Sequence, residues 1–190
     1  AVKDTLNSVL KEGKFDLTDI GLSEEDIRRT SQIYIVACGS AYHVGMVAQY
    51  VIEDRVRIPV RVELASEFRY RKPILDPNGL VIIISQSGET ADSLAALRES
   101  KKQGVKTLGI VNVIGSSIAR EADNVFYTLA GPEIAVATTK AYSTQLSASY
   151  VLAIQFAKIR DQITEEQYTG YIEELKTITD KISRIIEDKE

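Results

Sequence analysis

One cysteine, one histidine, no tryptophan and four prolines are spread over 190 residues. A lone Cys38 excludes an internal disulfide, and one Cys with one His leaves no cluster of the kind a structural zinc site needs, so no metal is expected. The longest purely aliphatic run, Leu80-Val81-Ile82-Ile83-Ile84, falls far short of the ~20 residues of a membrane-spanning helix, and no membrane association is expected. There is no basic surplus either. Lys and Arg total 23 against 27 Asp and Glu, for a formal charge of -4 and a pI near 5.2, whereas duplex-binding domains carry excess positive charge; nucleic acid is not an expected partner. The opening stretch AVKDTLNSVLKEGKF lacks the apolar centre of a signal peptide, which together with the sparse cysteine points to the cytoplasm. What is present is a 44% hydrophobic, 26% charged composition, enough for a sizeable core beneath a polar surface. Intrinsic disorder and collagen-like order are both excluded.

From Gln32 to Thr128, short β-branched runs alternate with helix-like stretches, the pattern of a parallel sheet covered by helices on both faces. The expected strands are Ile33 to Ala37, Val60 to Leu64, Leu80 to Ser85, Thr107 to Val111 and Asn124 to Thr128. The first, third and fourth are apolar nearly throughout and should be central strands. Tyr42 to Ile52, Ala91 to Gln103 and Ser116 to Glu121 read as helices, the second closed by Gly104. Both ends also read as helical. Val2, Leu6, Val9 and Leu10 make an apolar stripe ending at Gly13. Thr139 to Lys158 reads as one helix, and Thr164 with Glu165, Glu166 and Gln167 opens another. In that last helix Tyr171, Leu175, Ile178, Ile182 and Ile185 form a heptad seam, which either packs on its own domain or docks on another domain or subunit.

Open α/β sheets bind ligands at the carboxyl ends of their strands. After the first strand comes Cys38-Gly39-Ser40-Ala41, and after the third Ser85-Gln86-Ser87-Gly88-Glu89-Thr90. The second loop offers three hydroxyls, a carboxamide and a glycine able to take positive φ, at a helix N-terminus where backbone amides and the helix dipole hold a phosphate without Arg or Lys. A helix cap by Thr90 is the plainer alternative. Neither loop has GxGxxG spacing or the lysine of GxxxxGK[ST], so no nucleotide cofactor is expected, nor any other.

Cys38 and His43 are separated by a strand-to-helix turn, a poor arrangement for a nucleophile pair. Arg69, Arg71 and Lys72, ahead of Pro73 and Pro77, read as a charged loop that is solvated or meets a partner. Glu89 is first of all an acid stabilised near a helix N-terminus. Ala130 to Lys140 follows the fifth strand and either reaches the strand-end crevice, bringing Thr138, or merely connects.

The segments ACGSAYHVG, RYRKP, SQSGETADSL, READ and AGPEIAVATTKAYSTQL together resemble the isomerase half of the glucosamine-6-phosphate synthase family, the glutamine:fructose-6-phosphate aminotransferases, over roughly Gln32 to Lys158. SQSGET alone marks a sugar isomerase (SIS) domain; AGPEIAVATTKA narrows the resemblance to the synthases. The resemblance implies a flavodoxin-like three-layer αβα sandwich with a five-stranded parallel sheet that binds a hexose 6-phosphate: fructose 6-phosphate, glucose 6-phosphate or glucosamine 6-phosphate. Matched position by position, Ser85, Gln86, Ser87 and Thr90 fall on the phosphate loop, Cys38, Gly39 and Ser40 line the same edge, and Val136 with Thr138 fall on sugar-contacting positions. Ala41 stands where the family has a serine, and Thr138 also replaces one.

The family enzyme carries a glutaminase domain and two SIS domains, and its isomerisation base, ring-opening histidine and Schiff-base lysine lie in the second SIS domain or the tail. This chain begins at Ala1 and shows no second SIS-like loop, so it reads as the first SIS domain: residues 1–30 an N-terminal helical segment, 31–160 the SIS domain, and 161–190 a helix leading toward the second. No catalytic residue is expected within it. The implied partners are a sugar phosphate, the glutaminase and second SIS domains of a longer chain, and a second copy in a homodimer. The alternative from another class is a stand-alone SIS module that senses phosphosugars without chemistry.

Overall fold

The N-terminal stretch is less helical than its apolar stripe suggests. In the computed structural model, which describes residues 1–134 and 137–188, α1 (Val2–Asn7) stops early. A hairpin of β1 (Leu10–Lys11) and β2 (Lys14–Phe15) follows, with Leu10 opposite Phe15. The two-residue loop Glu12-Gly13 has φ of 50° and 78°, the left-handed pair that reverses a chain tightly and cannot continue a helix. A 3-10 turn at Thr18–Ile20 leads to α2 (Glu24–Arg29). This helix went unread from the sequence although its signature is there: Ser23 and Asp26 form a reciprocal capping box.

The strands match the sequence reading closely. In chain order they are β3 (Gln32–Ala37), β4 (Val60–Leu64), β5 (Gly79–Ser85), β6 (Lys106–Val111) and β7 (Asn124–Tyr127). They form one parallel sheet in the order β4-β3-β5-β6-β7. Every residue of β5 is buried, and β3 and β6 are buried except for their first residue, whereas the edge strands β4 and β7 are only partly covered.

Alternate side chains feed two cores. Ile33, Ile35, Ile82, Ile84, Leu108 and Phe126 face one side with Val44, Ala48 and Ile52 of α3 (Ser40–Val56). Tyr34, Val36, Val81, Ile83 and Val111 face the other, with Phe68 of α4 (Ala65–Tyr70), Ala96 and Leu97 of α5 (Ala91–Lys102) and Ile118 of α6 (Ser117–Glu121). On the first face α7 (Thr139–Ile159) lies along α3 and buries most of its length. Gly45 is required for that layer to seat: a Cβ there would stand 2.9 Å from both Ile35 and Val62. At the end of α5, Gly104 (φ 72°) donates to the Lys101 carbonyl at 3.0 Å and Val105 to Ser100 at 3.2 Å, the paired bonds of a Schellman cap.

The last helix, α8 (Glu165–Glu187), starts at Thr164, which forms a capping box with Gln167. Its seam divides. Leu175 is buried and Tyr171 half-buried, beside the buried Tyr168 and Ile172, which lie outside the expected seam, while Ile178, Ile182 and Ile185 are 37%, 41% and 64% exposed, so packing on its own domain accounts only for the first half. The basic cluster also reads differently in three dimensions. Arg69 lies near the end of α4 and pairs with Asp92 at 3.0 Å, and Arg71, just past the helix, pairs through two nitrogens with Glu63, so Arg69 is helical while Arg71 and Lys72 follow in the exposed segment expected. Among the described residues no helix is long and apolar enough to cross a membrane.

Candidate phosphate-binding cleft

The chain runs from β3 outward to β4 and then crosses back to β5, so the strand order reverses between β3 and β5. At such a reversal the connections leave in opposite directions and open a crevice at the carboxyl ends of the two strands. A cleft of about 170 Å³ lies there, lined by Cys38, Ser40, Ala41, Ile84, Ser85, Gln86, Ser87, Thr90, Thr138 and Gln145. Seven of the nine residues singled out from the sequence are therefore brought together. Gly39 sits at the entrance to α3 with φ 57° and ψ -133°, a conformation essentially confined to glycine, and shapes the turn rather than lining the cleft. Val136 lies outside the described residues.

The loop from Ser85 to Thr90 is folded onto itself by its hydroxyls. Ser85 Oγ accepts from the Gly88 N–H at 3.1 Å and lies 3.2 Å from Thr90 Oγ1. Ser87 Oγ accepts from the Glu89 N–H at 3.2 Å. Thr90 occupies the N-cap position of α5 yet makes no side-chain cap bond, so its hydroxyl turns to Ser85 and the cleft, against the plain capping alternative. The same is true at the other two helix starts: neither Gly39 before α3 nor Thr138 before α7 supplies a side-chain cap. Three helices thus start at one cleft without a side-chain cap from their N-cap residues; at α7 the Glu133 carboxylate accepts from the Ala141 N–H at 3.2 Å instead, and every side chain lining the cleft is uncharged. Such an arrangement attracts an anion through aligned peptide dipoles and amide donors.

Neighbouring elements lock the loop from behind. The Ile118 N–H donates to Gly88 O at 3.0 Å, Ser117 N–H to Glu89 Oε1 at 2.7 Å, and Asn112 N–H to Gln86 O at 3.1 Å. Glu89 therefore caps α6, the helix across the loop, and not the one it precedes. Hydrogen bonding to Ser117, with the nearby Arg120 charge, holds its carboxyl below the usual carboxylate range. Gly88 (φ 66°) has no room for a side chain, because a Cβ would run into the buried Ser116 hydroxyl. Asn112 Oδ1 also accepts from the Ala130 N–H at 2.7 Å, tying the segment after β7 to the cleft, and Lys140 returns to the Pro132 carbonyl at 2.8 Å. Cys38 and His43 are not paired: Cys38 Sγ lies 3.9 Å from Ser93 Oγ, while His43 is exposed and stacks edge-on against Tyr42. The sequence reading missed Gln145, Asn112 and the Glu89 clamp, none of which carries a local signal.

Fold and cleft together define a class: a doubly wound α/β domain with a neutral, hydroxyl-lined ligand cleft at its strand-order reversal. The chain belongs to the SIS domain family, whose model matches residues 26–155. It is 53% identical over 190 residues to the glutamine--fructose-6-phosphate aminotransferase [isomerizing] of Clostridium tetani, covering all of this chain and 31% of that protein. It is 50% identical over 191 residues to the enzyme of the same name from Caldanaerobacter subterraneus, again over 31% of its length. Among solved structures, the C-terminal domain of glucosamine-fructose-6-phosphate aminotransferase from Francisella tularensis superposes with a TM-score of 0.89 at 46% identity, covering 94% of this chain and 50% of that one. The chain thus spans about a third of the length of these curated relatives.

Proposed function

We propose that the cleft binds a hexose 6-phosphate, with Ser85, Gln86, Ser87 and Thr90 holding the phosphate and Cys38, Gly39, Ser40, Val136 and Thr138 on the sugar side. The observation that carries this reading is the Thr90 hydroxyl, which leaves its own helix uncapped and meets Ser85 at the cleft. Fructose 6-phosphate, glucose 6-phosphate and glucosamine 6-phosphate share the anchor this loop fits. In the longer protein, a cytoplasmic homodimer, this domain is the first SIS domain of a glutamine:fructose-6-phosphate aminotransferase. A glutaminase domain releases ammonia, and the base, ring-opening histidine and imine-forming lysine act from the second SIS domain and the tail, toward which α8 leads. Residues 1–30 and 161–190 are the flanks of the SIS domain of residues 31–160. The chain on its own anchors and orients: holding the phosphate fixes the reacting carbons against the catalytic groups, so binding energy remote from the chemistry lowers the barrier.

Titration of the chain with glucose 6-phosphate, with glucose as the control, tests the reading by amide chemical-shift mapping. The amides of Ser85 to Thr90 should move with glucose 6-phosphate and stay with glucose. Ser87→Asp should abolish binding, because each unit-charge pair about 4 Å apart repels by about 4 kcal/mol at an effective dielectric of 20. Shifts confined to residues remote from the loop would refute the assignment.

A further inference from the structure

Gln145 is the most deeply buried carboxamide at the cleft, at 3% exposure, on a face of α7 otherwise built from small and apolar residues. Buried polar side chains in folded proteins are almost always hydrogen-bonded, since an unpaired amide removed from water is strongly disfavoured. The other buried polar residues of α7 follow that rule by donating to their own helix: Thr144 Oγ1 to Ala141 O at 3.0 Å, Ser147 Oγ to Ser143 O at 2.9 Å and Ser149 Oγ to Gln145 O at 2.9 Å. The described residues whose buried polar side-chain atoms are both sealed from solvent and unpartnered are Ser116 and Arg160. The Gln145 carboxamide is bonded to no described residue, and Gln145 lines the cleft with Ser85, Ser87, Thr90 and Thr138.

We propose that Gln145 is a ligand-binding residue of this cleft, its side-chain N–H donating to an oxygen of the bound phosphosugar. The inference rests on the hexose 6-phosphate reading of the site and extends it to the floor of the cleft. A carboxamide suits this position chemically. It is neutral, so it adds no repulsion toward a dianion and needs no counter-charge while buried, and it offers fixed donors where the surrounding hydroxyls rotate. The adjoining Ala41 and Ile84 supply only apolar contact, and the other buried polar residue of the lining, Ser85, is already engaged with Gly88 and Thr90.

Three proteins test it: the wild-type chain, Gln145→Met, which keeps the volume and removes both hydrogen-bonding groups, and Gln145→Glu, which keeps the shape and adds a charge. Calorimetry with glucose 6-phosphate and with inorganic phosphate should show Gln145→Met weakened about tenfold toward glucose 6-phosphate while its ligand-free melting temperature equals or exceeds the wild type. A merely structural glutamine would lower the melting temperature and leave affinity unchanged. Gln145→Glu should weaken binding further, through repulsion. Weakening toward both ligands places the contact on the phosphate, and weakening toward the hexose phosphate alone places it on the sugar; either supports the proposal. Independently of any variant's folding, the side-chain amide resonances of Gln145 in the wild type should shift on saturation with glucose 6-phosphate. If the Ser85 to Thr90 amides respond while the Gln145 amide and the Gln145→Met affinity do not, the role of Gln145 is overturned and the site reading stands. A wild-type chain with no response anywhere overturns both.

Discussion

Gly88→Ala is the sharpest perturbation of the cleft that replaces none of its lining side chains. Gly88 has φ 66°, and a Cβ built on it would overlap Ser116, whose side chain is buried and whose hydroxyl has no partner among the described residues. The backbone term is ~1–2 kcal/mol for placing an L-residue in the left-handed region. Overpacking a filled site adds ~1–3 kcal/mol. Relaxation by shifting the loop is resisted by the bonds from Ile118 N–H to Gly88 O and from Gly88 N–H to Ser85 Oγ, 3.0 and 3.1 Å long. The variant should therefore lose ~2–5 kcal/mol, which at ~2–4 °C per kcal/mol for a domain of this size is a drop of about 4 to 20 °C in melting temperature. Because the loop that holds the phosphate has to move, affinity for glucose 6-phosphate should fall more than tenfold. The companion Ser116→Gly removes the obstructing atoms, so the double variant should regain the overpacking part and keep only the backbone part, a coupling of ~1–3 kcal/mol. Thermal unfolding of the four proteins, followed by calorimetry on those that fold, reads this directly. Additive losses, with no recovery in the double variant, would refute the close approach of Gly88 to Ser116.

Glu89 makes the loop clamp pH-dependent. Its folded-state pKa is depressed from 4.5, so the stability it contributes is present above pH 4.5 and is lost as the pH falls through the lower folded value. Melting curves of wild type and Glu89→Gln should differ at neutral pH, the variant melting lower, and converge as the pH falls through the lowered folded-state value; a difference that stays constant down into the acid range would show that the carboxylate is not what holds α6. Ala41 lines the cleft at the first turn of α3, so Ala41→Ser places a hydroxyl beside the ligand and should tighten glucose 6-phosphate binding about threefold to tenfold, roughly 0.7 to 1.4 kcal/mol. Unchanged calorimetric affinity in an equally stable variant would show that this position does not face the phosphate.

Local pattern alone determined the sheet. Continuous apolar runs at Ile33 to Ala37, Leu80 to Ser85 and Thr107 to Val111 announce strands covered on both faces, because burial on two sides removes the polar alternation that a half-exposed strand keeps, and these became the central strands β3, β5 and β6. The hydroxyl-rich loop after β5 was equally legible, since a strand end followed by Ser, Gly and Thr before a helix is written in neighbouring residues. Only the tertiary structure decided what those residues face. Whether Glu89 serves its own helix or α6 some 28 residues on, and whether Gln145 is a surface residue or lines a cleft, depend on groups distant in sequence, and whether Thr90 caps α5 or turns to Ser85 depends on how the loop folds. The same holds at the chain ends. The α1 stripe runs on past Asn7 only on paper, because the left-handed Glu12-Gly13 turn and the Leu10–Phe15 pairing compete with the helix and win. The α8 seam is uniform in sequence but half-covered in space, because periodicity records which face of a helix is apolar and not how far its partner extends.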